Sequence, residues 1–372
     1  MSLFSKSNKS QNDNLAPDEK EDSSYEFCPR CDANLTFQKG YDNTLPYWIC
    51  KGCGEMLINP ELDTGDVIWL CDNCGALLNT QEGLAESLDD WKCTECGHVN
   101  ELSDKDVYES DDEYQAELGN PYRGLTDEEM LSLSMYRDES FLDEDKDIIL
   151  VRNTESGKLF VKKLHTVYDK SIYAYLMDHP VMHMPRIVEI YESSNCLIVI
   201  EDYIEGNTLA DMLEDAVIPE EKAIDIVRSV CKVLLTLHTL EVPIIHRDIK
   251  PSNVILSSDG SVFLLDMNVA KWYDPEKTDD TRHMGTQYYA APEQLGYGLK
   301  ASSPKADVYA LGVLMNVMIT GHFPKEQKAT GGVWSIIERC ISLDEGKRFT
   351  VQELMTKLDA LERNRYAPKT NG

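Results

Sequence analysis

Eight of the chain's 11 cysteines fall in four Cys-x-x-Cys pairs, Cys28 with Cys31, Cys50 with Cys53, Cys71 with Cys74 and Cys93 with Cys96. Thiolates are soft ligands, and two such pairs separated by eighteen residues close a tetrahedron around a zinc ion with no position left for water. Such a centre staples a chain and does not catalyse. Each cysteine of the first four recurs 43 positions later in the second four, and Trp48 and Trp91 precede the second pair at the same offset, so the segment is an internal duplication. Units this small cannot hold a core unaided, which makes metal binding and folding one process. Cys196, Cys231 and Cys340 stand in apolar runs and read as inert core thiols. Tyr47, Trp48 and Trp91 suit either packing or a recognition surface. His98 reads as a surface residue beside a ligand set already complete.

The chain that carries these centres changes character along its length. Its 372 residues give room for two or three domains. A hydrophobic share of 42% with 27% charged residues is ordinary for a packed globular protein. The net charge of -30 argues against nucleic acid or an anionic membrane as partner, and solubility alone accounts for it. The longest apolar run, Val308 to Ile319, is too short to cross a bilayer, and the Met1 end lacks the apolar stretch of a secretory signal. The expected compartment is the cytoplasm, where reducing conditions favour metal-bound over disulfide-bonded cysteines. The expected segments are a disordered tail over 1–24, zinc ribbons over 25–58 and 68–100, an acidic linker over 101–135, a main domain over 136–365 and a tail over 366–372.

Within the linker, Thr126 and Glu129 predict a capping box opening a helix over Asp127 to Met135. Ile148 to Val151 and Leu159 to Val161 are β-type runs parted by the turn signal Asn153-Thr154-Glu155-Ser156-Gly157, and Ile187 to Ile190 and Leu197 to Ile200 supply two more strands. Beyond Pro219, Ile224, Val227, Cys231, Leu234 and His238 share one helical face. Strands first and helices after predict a two-lobed α+β domain.

That domain contains His246-Arg247-Asp248-Ile249-Lys250-Pro251-Ser252-Asn253, which resembles the catalytic loop of the protein kinase family. Leu264-Leu265-Asp266-Met267-Asn268, Ala291-Pro292-Glu293, Asp307 with Tyr309-Ala310-Leu311-Gly312, and Gly346-Lys347-Arg348-Phe349 follow in the family's order. The chain thus looks like a bacterial-type (eukaryotic-like) Ser/Thr protein kinase, with a two-lobed fold behind two zinc ribbons. The resemblance implies that Asp248 sits at the attacking hydroxyl, that Lys250 neutralises the moving phosphoryl group and that Asn253 and Asp266 hold Mg2+. It further implies Lys162 as the phosphate-gripping lysine, and Ile200, Glu201 and Tyr203 as the adenine-binding hinge. Thr278, Thr281 and Thr286 fall in the activation segment. Glu293 and Arg348 form a buried ion pair, and Asp307 anchors the catalytic loop.

The implied activity is Mg2+-dependent transfer of the ATP γ-phosphate to protein hydroxyls, with two structural Zn2+ ions and ribbons that target the enzyme or engage a protein client. Two departures admit a second reading, a nucleotide-sensing scaffold that presents the ribbons. No Gly-x-Gly-x-x-Gly occurs, and the corresponding stretch from Ser140 to Asp147 is acidic. Nor does any Glu lie between Lys162 and Glu189, leaving Asp169 as the nearest substitute for the lysine's usual partner.

Overall fold

The structure, a computed structural model, describes residues 2–4, 26–42, 47–53, 56–58, 67–74, 76–84, 89–102, 107–108, 116–276, 288–295 and 302–366. The chain divides into two compact units, Met1–Asn120 and Pro121–Gly372.

In the first unit each cysteine set sits on a small β module. Phe27 bridges Asn34, and the strand Tyr47–Ile49 pairs with Met56–Ile58; 43 residues on, Leu70 bridges Leu77 and Asp90–Lys92 pairs with Val99–Glu101. Each module has a minute core, Leu35 with Cys28 and Cys50 in one and Leu78 with Cys71 and Cys93 in the other. The expected tail over 1–24 is mostly outside the described residues, but Ser2–Phe4 is a strand, antiparallel to Val67–Trp69 and parallel to Val107–Tyr108. The final tail, from 367, is likewise outside them.

The second unit is the expected two-lobed α+β fold. Its small lobe is a five-stranded antiparallel sheet in the spatial order Ile187–Glu192, Leu197–Asp202, Leu159–His165, Ile148–Asn153, Tyr136–Asp143. Side chains alternate between faces along a strand. Val199 therefore joins the main core with Ile172 and Leu176 of the helix Lys170–Asp178, while Ile198, Ile200 and Phe160 point the other way.

That outer face is not bare, because the unit begins at Pro121 rather than near 136. Tyr122, Leu125 and Leu133 cover Phe160, Ile198 and Ile200, and Ser194 N–H donates to the Arg123 carbonyl at 2.7 Å. The covering helix Asp127–Ser134 opens with the expected capping box of Thr126 and Glu129. What reads in sequence as the last third of an acidic linker is thus the roof of the small lobe.

The large lobe packs the helices Glu220–His238, Lys305–Thr320, Gly332–Cys340 and Val351–Tyr366. Lys305–Thr320 is buried on nearly every side. A Cβ on Gly312 would lie 2.6 Å from the Cys340 Cβ, so glycine is what lets two helices approach this closely. No helix among the described residues is long and apolar enough to cross a membrane.

Candidate active site and metal centres

The catalytic loop is hung from one buried acid. Asp307, near the start of the central helix, accepts from the main-chain N–H of His246 at 3.0 Å and of Arg247 at 2.8 Å, and lies 2.8 Å from His238 Nε2. Burial opposes its ionisation, but the His238 hydrogen bond and charge outweigh this and hold its carboxyl below the usual range. The loop needs such an anchor because Arg247 has φ +69, a conformation costing a non-glycine residue about 1–3 kcal/mol. Gln294, fully buried, holds the far side by donating to the Arg247 carbonyl at 2.8 Å.

Three groups converge from this scaffold. Asn253 Nδ2 donates to the Asp248 carbonyl at 2.8 Å and to Asp248 Oδ2 at 3.0 Å, and Lys250 Nζ lies 2.6 Å from the same carboxylate oxygen. The Leu265 N–H donates to the Asn253 carbonyl at 2.8 Å, which sets Asp266 beside that amide. His246 ties the two loops together: its Nε2 faces the Leu265 carbonyl at 2.9 Å, and its Nδ1 accepts from Asp248 N–H at 3.3 Å. Asn253 and Asp266 both line a cleft of about 370 Å³ between the lobes, together with Val161, Lys163, Glu201 and Tyr203. Burial works against the Asp266 carboxylate, but the Lys163 ammonium prevails and holds its pKa below normal. A cleft holding an amide oxygen, a buried carboxylate and a buried lysine suits a metal-bound polyphosphate.

Two expected nucleotide contacts are corrected by strand geometry. Lys162 points to the roof, where Nζ lies 2.6 Å from Asp138 Oδ1 and donates to Tyr122 Oη at 3.0 Å. Its neighbour Lys163 enters the cleft. Ile200 likewise belongs to the roof cluster, whereas Glu201 and Tyr203 line the cleft. A shift of one residue on a strand exchanges the two faces. Asp169 is no partner of the lysine either: it caps Lys170–Asp178, accepting from Ser171 N–H at 3.0 Å.

The acidic stretch expected in place of a glycine-rich loop is a hairpin tip, and Leu142, Asp143 and Lys146 from it line the cleft. Lys146 and Asp143 are ion-paired, which offsets part of the local negative charge. Thr278, Thr281 and Thr286 lie outside the described residues.

His165, the next cleft-facing residue after Lys163 on its strand, is buried 3.9 Å from Asp266 Oδ1, beyond hydrogen-bond reach. Burial pushes its imidazole down to about 4, against the pull of Asp266 and with the help of Lys163. The unfolded chain takes up this proton near the ordinary histidine value of about 6.5 and the folded protein does not, so stability falls as pH drops below that value. We expect urea unfolding to lose on the order of 2 kcal/mol between pH 7 and pH 5 through this residue. His165→Gln should flatten that part of the pH dependence; an unchanged profile would count against it.

The expected Glu293–Arg348 pair is present as a fork, with Nη1 and Nη2 at 2.6 and 2.9 Å from the two carboxylate oxygens and Arg348 Nε donating to the Ser342 carbonyl at 2.8 Å. Glu293→Ala strands a fully buried guanidinium and should cost about 3–5 kcal/mol in denaturant unfolding. A loss under about 1 kcal/mol, the value of an exposed pair, would refute that account.

In each ribbon the four cysteine sulfurs lie within 4.8 Å of one another. Cys28 to Cys53 and Cys71 to Cys96 span 3.5 Å, and Cys31 to Cys50 and Cys74 to Cys93 span 3.7 Å. Tetrahedral zinc with bonds near 2.3 Å requires about 3.8 Å between sulfurs, so both sets fit such an ion. The sequence reading missed a second pair of repeated residues. Gln38 donates to Cys50 Sγ and accepts from Trp48 Nε1 and Lys51 N–H; Gln81 does the same for Cys93, Trp91 and Thr94. The 43-residue offset that relates the cysteines also relates these glutamines, and would have found them. Burial raises the Cys50 and Cys93 thiols, but the glutamine amide and main-chain donors overcome it and bring both to about 6.

The second unit, then, carries the architecture of a protein-kinase-like phosphotransferase. Residues 163–333 match the family model for the protein kinase domain; the match opens at Lys163, beyond the divergent first hairpin. Over 175 residues the chain is 26% identical to the "Probable serine/threonine-protein kinase KIN1 homolog" of Enterocytozoon bieneusi, covering 47% of this chain and 28% of that protein. Over 196 residues it is 30% identical to "Serine/threonine-protein kinase PAK 1" of Mus musculus, covering 46% of this chain and 35% of the relative. The chain therefore spans about a third of the length of the curated relatives it matches.

Proposed function

We propose that the second unit is a Ser/Thr protein kinase that transfers the ATP γ-phosphate to protein hydroxyls with Mg2+. The observation carrying this reading is the joint placement of Asp248, Asn253 and Asp266, locked by hydrogen bonds at the floor of a cleft entered by Lys163. Asp248 accepts the proton of the incoming hydroxyl, and Lys250, ion-paired to it, carries compensating charge toward the transferred group. Asn253 and Asp266 are the Mg2+ ligands, and the metal supplies charge neutralisation on the phosphates. Lys163 grips the phosphates, and Tyr203 and its neighbours hold the base.

The ribbons each hold one structural Zn2+ and recruit a protein client. The bacterial-type branch and a cytoplasmic location belong to the same reading. The test is transfer of radiolabelled phosphate from ATP to the chain itself or to a generic protein acceptor. We expect incorporation on Ser and Thr that stops when EDTA removes Mg2+; incorporation unaffected by EDTA, or none with any acceptor, would overturn the proposal.

A further inference from the structure

The acid that holds Lys163 comes from the sheet and not from the helix. The strands Leu159–His165 and Leu197–Asp202 pair with Val161 opposite Glu201 and Lys163 opposite Val199. Opposed residues share a face, so Glu201 and Lys163 are diagonal neighbours on the cleft side. Lys163 Nζ lies 2.8 Å from Glu201 Oε1, with both side chains below a tenth exposed. Burial pushes the Glu201 carboxyl up while the lysine charge opposes it, and Lys163 is kept charged by Glu201 and Asp266 against its own desolvation.

The helix Lys170–Asp178, which packs on this sheet, has no comparable group. Its interior carries no acid, Asp169 is engaged at its cap, and the residue facing the cluster is Tyr173, buried with its ring 5.6 Å from that of His165. Protein kinases depend on an ion pair between this strand lysine and a helix glutamate, and positioning of the helix controls that pair. Here the two charges stand on adjacent hydrogen-bonded strands, whose separation the ladder fixes.

We propose that Glu201 is the positioning residue of Lys163. It sets the phosphate-gripping ammonium from within the sheet, so that nucleotide capture does not depend on where the helix Lys170–Asp178 sits. A carboxylate at the back of the nucleotide cleft thus acts on the phosphate end through the lysine, and is not a hinge contact to adenine.

This inference rests on the kinase reading, and the experiment separates the two. Binding of Mg·ATP and of adenosine to the full chain is measured by calorimetry, beside phosphate transfer, for the parent, Glu201→Gln and Asp169→Asn. Glutamine keeps shape and removes charge; asparagine keeps the cap and removes the helix acid. We expect Glu201→Gln to weaken Mg·ATP at least tenfold and to raise its KM correspondingly, with adenosine affinity within twofold. Asp169→Asn should leave all three within twofold. Equal loss of adenosine and ATP would mean a merely structural role, and unchanged ATP affinity in Glu201→Gln, or a tenfold loss in Asp169→Asn, would equally overturn the proposal. Should Glu201→Gln not fold, Glu201→Asp decides by the same ATP-to-adenosine comparison. A parent that binds Mg·ATP but transfers no phosphate defeats the kinase reading alone, and the affinities still decide the role of Glu201. A parent that binds no nucleotide defeats both.

Discussion

Replacing Asp248 with Ala should lower the rate of phosphate transfer by about 10²–10⁴-fold, the usual worth of a positioned general base, while Mg·ATP still binds. The two effects separate because of how the loop is held. Asp307 and Gln294 fix it through main-chain atoms, and Asn253 keeps its bond to the Asp248 carbonyl when the side chain is gone. Only the contacts to Asn253 Nδ2 and Lys250 Nζ at the carboxylate are lost. Initial rates of radiolabel transfer and calorimetric Mg·ATP binding would measure both. A variant retaining more than a tenth of the parent rate would remove Asp248 from the chemistry.

Withdrawing metal should unfold both ribbons. Structural zinc in modules of this size contributes about 10–16 kcal/mol of apparent binding energy, and cores built on Leu35 and on Leu78 supply nothing similar. A strong chelator should release two equivalents of zinc per chain and change the emission of Trp48 and Trp91, whose indoles are fixed by Gln38 and Gln81 at 3.0 and 2.9 Å. Cys50→Ser and Cys93→Ser should each cost one equivalent. Metal loss with unaltered circular dichroism and fluorescence would show that the modules fold without it.

Much of this was legible because spacing alone carried it. Thiolates at fixed intervals, Asp248 with Asn253 five residues on, and the Thr126–Glu129 cap are local relations, and the coordinates realise them. What escaped was what depends on sheet face. Phe160-Val161-Lys162-Lys163 offers no alternation of apolar and polar residues, because the roof buries one face and the main core the other, and a strand buried on both sides loses its period of two. The choice between Lys162 and Lys163, and between Ile200 and Glu201, was therefore undetermined. The roof hid for a related reason. Residues 121–135 are rich in charge, and their few apolar members, Tyr122, Leu125 and Leu133, gain meaning only against partners more than twenty positions away.

That roof bears on how the phosphotransferase half is to be excised for study. Cutting at Tyr136, where the first strand starts, would leave Phe160, Ile198 and Ile200 wet and Lys162 without the Tyr122 hydroxyl. Contiguous apolar surface on an otherwise sound sheet invites self-association. A fragment starting ahead of Pro121 keeps its own lid and is the smaller risk, even though it retains residues that look dispensable on paper.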